Sequence, residues 1–78
     1  MFYVRNVVGR QVRKARLSHN PKMTQAELAA KLQLADWNID RAGIAKIESG
    51  IREVTDMEVL SLATVLNVTA AWLFGEEK

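Results

Sequence analysis

Apolar residues recur along the chain at intervals of three and four with polar residues between them, a pattern that predicts helices throughout. Val8, Val12 and Ala15 fall on one side of a first segment while Arg10, Arg13 and Lys14 fall elsewhere, so residues 6–18 are expected to form a helix with one apolar face. His19-Asn20-Pro21-Lys22 ends it, because proline disfavours helical geometry in the residue before it and donates no backbone hydrogen bond. Thr24 and Glu27 stand at the spacing of a capping box, which starts a second helix at Gln25. Its Leu28 and Leu32 point inward, and the small Ala29 beside them lets another helix come close. Residues 33–39 read as a long connection pinned by Leu34, Trp37 and Ile39. Trp37 is read first as a plug over the core and second as a base-stacking ring.

Asp40 carries a carboxylate suited to capping a third helix, and Ser49-Gly50 is where that helix should close, since glycine tolerates the left-handed conformation of a helix end. At about 100° per residue, Ile44, Ile47 and Ile51 share one side of this segment, and Arg41, Ala42, Ala45, Lys46 and Ser49 share the other. Thr55 and Glu58 repeat the capping-box spacing and open a fourth helix with an apolar stripe of Val59, Leu62, Ala63 and Leu66, closed by Asn67. Thr69 caps a last short helix over residues 70–74, and residues 75–78 should form a frayed, flexible tail. No strand, repeat or low-complexity stretch stands out. The expectation is an all-α fold of five helices in a single domain over residues 1–78, with its core in about residues 6–74.

With 78 residues, the chain is limited to one small core. It has no cysteine, so disulfides, thiolate metal sites and cysteine catalysis are all excluded. No apolar run approaches the roughly 18 residues of a membrane span, and the opening MFYVRNVV is too short an apolar segment for a secretory signal. A soluble, cytoplasmic protein is expected. The net charge is only +2, but residues 1–31 hold seven Lys or Arg against one acid, whereas residues 53–78 hold one against five. Such a chain can turn a basic end towards phosphates and an acidic end away, or it can simply carry ordinary solvated helix faces. The sole histidine, His19, sits beside Ser18 with no carboxylate nearby in sequence, so neither catalysis nor a metal or other cofactor is expected.

Two short amphipathic helices back to back have the layout of a helix-turn-helix, in which the first braces and the second enters the DNA major groove. Arg41 is the best candidate for reading a base, because arginine's two-pronged donor edge matches guanine O6 and N7, while the methyls of Ala42 and Ala45 suit thymine methyls. Lys46 is within reach of a base or a phosphate. Gln25 and the free N–H groups at the start of the second helix make a natural phosphate clamp, and Arg52 should also lie near the DNA backbone. A protein-interaction module is the competing reading. Phe2, Tyr3 and Val4 at one end and Trp72, Leu73 and Phe74 at the other are bulky apolar residues that either complete the core, form a homodimer contact, or meet a different protein such as a toxin.

Taken together, Thr24-Gln25, Leu28-Ala29, Leu32, Ile44, Ile47-Glu48, Gly50, Leu62-Ala63 and Leu66 resemble the Cro/C1-type helix-turn-helix family, the XRE-like regulators of bacteria and phages. TQAELA and IAKIESG are the most specific parts. The resemblance implies a lambda-repressor-like five-helix fold, double-stranded operator DNA as ligand, transcription regulation with repression as the expected outcome, and a two-fold dimer. By position it implies that Gln25 clamps a phosphate, that Arg41, Ala42 and Lys46 face bases, and that Ser49, Gly50 and Arg52 follow the DNA backbone; Ala45, on the same outer flank, is expected to face bases too, and Thr24 to contact the DNA backbone beside Gln25. It also implies an internal ion pair between Arg16 and Glu48. Three departures stand out: the link between helices two and three is about five residues longer than the usual short turn, Asp40 replaces a common Ser or Thr, and Gly43 replaces a polar residue. Gly43 costs about 1 kcal/mol of helix propensity and hints at a tight backbone approach to helix two or to DNA.

Overall fold

A computed structural model of the chain describes residues 3–4 and 7–76. In chain order it contains β1 (Tyr3–Val4), α1 (Gly9–Ser18), α2 (Gln25–Leu34), α3 (Arg41–Glu48), β2 (Val54–Thr55), α4 (Asp56–Leu66) and α5 (Ala70–Leu73). The two strands pair antiparallel, Tyr3 opposite Thr55 and Val4 opposite Val54, a feature absent from the sequence expectation. Two residues on each side are too few for an alternating pattern to register. Val7 and Val8 lie in a bend, so α1 starts at Gly9; the helix start expected at Asn6, like Phe2, is outside the described residues.

Both capping boxes are present. The Thr24 hydroxyl accepts from the Glu27 N–H at 3.0 Å while Glu27 Oε1 accepts from the Thr24 N–H, and Thr55 and Glu58 repeat the exchange. Asp40 caps α3 by accepting from the Gly43 N–H at 2.8 Å, and Thr69 caps α5 by accepting from the Trp72 N–H. The opposite ends of four helices close alike: a residue in the left-handed conformation donates three positions back, and the next residue donates five positions back. Asp36, Gly50, Asn67 and Gly75 take that role in α2, α3, α4 and α5, with φ of 68°, 82°, 59° and 79°. Gly75 and Glu76 donate to the carbonyls of Trp72 and Ala71 and so close α5; Glu77 and Lys78, the rest of the expected tail, are outside the described residues.

The core is built from Val8, Val12 and Ala15 of the α1 region, Leu28, Ala29 and Leu32 of α2, Ile44 and Ile47 of α3, and Val59, Leu62, Ala63 and Leu66 of α4, with Leu73 of α5 fully enclosed. Each large aliphatic side chain taken wholly out of water contributes about 1.5–3 kcal/mol. Two apolar residues expected to join them do not. Ile51 is 76% exposed, because Gly50 turns the backbone left-handed and ends the helical period that would have aligned it with Ile47. Leu34 is 86% exposed; as the last residue of α2 it sits about 200° around the axis from Leu32. The link is therefore residues 35–40, held down by buried Ile39 and half-buried Trp37, with the Gln33 amide donating to the Ile39 carbonyl at 2.8 Å.

Gly43 permits a close approach, to the link and not to helix two: a Cβ there would come within 2.6 Å of Ile39 Cγ1. Gly9, which the periodicity did not single out, lies against the backbone carbonyl of Ile47, so that α1 and α3 pack at the distance only a glycine allows.

Candidate nucleic-acid interface

With Ile44 and Ile47 buried, the opposite flank of α3 faces solvent: Arg41, Ala42, Lys46 and Ser49 are exposed and Ala45 is half-buried. The side chains of Arg41 and Lys46 make no hydrogen bond or ion pair, whereas the Asp40 carboxylate is committed to its cap. Ser49 Oγ turns back to the Lys46 carbonyl at 3.2 Å.

Behind this surface, the charged side chains of Arg16 and Glu48 are both buried. Arg16 Nε and Nη2 donate to the two carboxylate oxygens of Glu48 at 2.8 and 2.9 Å, and Nη1 donates to the Met23 carbonyl at 2.9 Å. Its hydrogen bonding to Glu48 holds the Arg16 guanidinium still more firmly charged than usual, against the opposing pull of burial. Glu48 Oε1 also accepts from the Gln25 amide at 3.1 Å. One carboxylate thus ties α1, the first turn of α2 and the last turn of α3 together. Gln25 and Ala26 occupy the first-turn positions whose N–H groups have no partner within a helix.

Arg52 makes its contacts within the chain. Its Nη1 and Nη2 donate to Glu58 Oε1 and Oε2 at 3.1 and 2.9 Å, and its guanidinium lies 5.6 Å from the Trp37 ring centroid. The cation is engaged internally and lies over one face of the Trp37 ring, which itself packs against the core. Burial alone would raise the Glu58 carboxyl, but the hydrogen bonds from Arg52 and the Thr55 N–H and the nearby positive charge outweigh it, so Glu58 titrates below its ordinary value. A carboxyl with a depressed folded value contributes stability that is complete above its unfolded value and is lost as pH falls through the folded one. We expect urea midpoints to drop on acidification through the carboxylate range. Glu58→Gln, which retains an acceptor for the capping box, should flatten part of that drop; equal acid loss in both proteins would contradict the assignment.

The suggested dimer residues also separate. Leu73 is fully buried in the chain's own core and is not available to a partner, because α5 lies over the core with that side chain inward. Trp72 and Phe74 are half-buried against the core, and the Trp72 carbonyl accepts from the Gln11 amide at 2.9 Å. The N-terminal Tyr3 and Val4 are engaged through their backbones in β1. His19 Nδ1 is 2.9 Å from the Ala15 carbonyl, and among the described residues no three His, Cys, Asp or Glu side chains are grouped to hold a metal ion. No helix of the described residues is long and apolar enough to cross a membrane.

A bracing helix whose first turn meets the last turn of a second, outward-facing helix, both packed on a helical scaffold, defines a helix-turn-helix domain. The family model described as Helix-turn-helix (HTH_3) matches residues 12–73. The chain belongs to this Cro/C1-type, XRE-like family of DNA-binding transcription regulators, and its five-helix architecture is the lambda-repressor-like fold. The family is regulatory and not enzymatic. No curated protein and no solved structure matches the chain.

Proposed function

We propose that the protein is a sequence-specific repressor that inserts α3 into the major groove of an operator and blocks transcription by occupying it. The observation that carries this reading is the exposed flank of α3, where Arg41, Ala42 and Lys46 stand free of internal partners while the other flank is buried. In this reading Arg41, in the first turn of α3, donates its fork to a guanine, Ala42 and Ala45 meet thymine methyls, and Lys46 reaches a base or a phosphate. Thr24, Gln25 and the N–H groups that begin α2 grip a phosphate, with the Gln25 amide oriented by Glu48, and Ser49 follows the same strand. A homodimer presents two α3 helices to half-sites about one DNA turn apart. Trp72 and Phe74 remain candidates for that contact.

A protein contact alongside DNA binding, as an antitoxin would make, is favoured by Met57 and Leu60, which lie one turn apart on α4 and are 62% and 53% exposed.

Selection of genomic fragments followed by titration across a salt series tests the main reading. Affinity should fall steeply with salt for specific and competitor DNA alike. Arg41→Ala should lose about 1–3 kcal/mol of preference at one base position, whereas Gln25→Ala should weaken all sequences evenly. Equal loss of preference in both variants would refute this division of roles, and absence of any salt-sensitive DNA binding would favour the interaction module.

A further inference from the structure

The lengthened segment between α2 and α3 is held by three side chains from three parts of the chain. Trp37 belongs to the link, Arg52 to the turn after α3, and Glu58 to the first turn of α4. The guanidinium of Arg52 lies over the Trp37 ring, takes both oxygens of Glu58, and donates from Nη1 to the Glu53 carbonyl at 2.9 Å. Only a planar, forked cation can stack on a ring and bind a carboxylate with two prongs at once. The two ends of α3 are thus fixed by separate means. Glu48 anchors the last turn to α1 and α2, while the first turn is entered from a six-residue link whose main anchors are Ile39, the Gln33 amide and this stack.

We propose that the Trp37–Arg52–Glu58 stack sets the direction in which α3 leaves the domain, and that Arg52 governs operator affinity as a positioning residue acting through α3, not by touching DNA. The inference rests on the reading of α3 as the DNA-reading helix. The geometry supports it: a guanidinium already committed to a carboxylate and an aromatic face would have to break both to follow a phosphate. About a third of the Arg52 side chain remains exposed, so it sits at the surface without being free.

Arg52→Lys and Glu58→Gln separate the alternatives. The first keeps the positive charge but loses the fork and the stack. The second keeps the capping box and releases Arg52 from its carboxylate. In the free protein, both should speed hydrogen exchange at the Ile39 and Gly43 amides about tenfold relative to Val59 and Leu62 in α4. On operator DNA, each should weaken binding about tenfold with the slope of affinity against salt unchanged, and the double variant should be no worse than either alone. If Arg52 instead held a phosphate, Glu58→Gln would tighten binding, and Arg52→Gln would lower the salt slope by about one contact. Unchanged exchange at the link overturns the stack's role whatever DNA does, and faster exchange with unaltered affinity overturns its effect on recognition. A wild-type protein that binds no duplex sinks the DNA reading and this inference with it. That failure is told apart because the exchange measurement needs no DNA.

Discussion

Glu48→Ala is expected to bring the domain to the edge of unfolding at room temperature. The carboxylate is nearly inaccessible, with 4% of its side chain exposed against 9% for Arg16, and it accepts two bonds from that guanidinium and one from Gln25. Removing one partner of a buried pair leaves the other charge uncompensated, at a cost of about 3–5 kcal/mol. A chain of this length has a total stability of only about 4–12 kcal/mol. Urea denaturation of the purified variant checks the expectation, and a loss below about 1 kcal/mol would show that water reaches Arg16 freely. The paired change Arg16→Met with Glu48→Leu should be milder than Glu48→Ala, because it deletes both charges together. It will not restore the wild type, since the Met23 carbonyl and the Gln25 amide each lose a partner.

Gly9→Ala carries the second large effect, and its sign discriminates. Alanine favours helix over glycine by up to about 1 kcal/mol, so propensity alone predicts a more stable protein. The added Cβ would instead overlap the Ile47 carbonyl oxygen and lie 3.3 Å from that of Glu48. Both atoms are backbone, so no rotamer change relieves the clash and α1 must retreat from α3. Overpacking of this kind costs about 1–3 kcal/mol, and we expect a net loss of about 1–2 kcal/mol with a larger one for Gly9→Val. Because α1 and α3 then no longer seat against each other, the proposed role of α3 predicts that operator affinity falls as well. Thermal melts that rise for Gly9→Ala would overturn the packing argument.

Local signals made most of the helical framework legible. Thr24 with Glu27 and Thr55 with Glu58 announce two helix starts by chemistry confined to four residues, and Gly50 and Asn67 announce two ends in the same way. The division of α3 into a buried flank and an open flank followed from periodicity alone. It failed only at Ile51, where a left-handed residue interrupts the period. What stayed hidden depends on residues far apart in sequence. Nothing near Arg52 in the sequence says that its carboxylate is Glu58 and its ring Trp37. Gly9 gave only the weak hint of a glycine at a helix start, and its neighbour Ile47 is remote. The β1–β2 pairing rests on backbone groups and leaves no mark on side-chain pattern. Asp36 does not announce a helix end by its residue type, because the left-handed conformation it adopts is commoner for glycine and asparagine.

The exposed flank of α3 has a consequence for how such proteins diverge. Arg41, Ala42 and Lys46 contribute no bond to the scaffold, and exchanging surface residues of this kind alters folding free energy by about 0.5 kcal/mol or less. Their chemistry can therefore wander over generations while the framework stays under selection. Under the proposed role of α3, new binding preferences become accessible through single codon changes that the rest of the molecule scarcely registers.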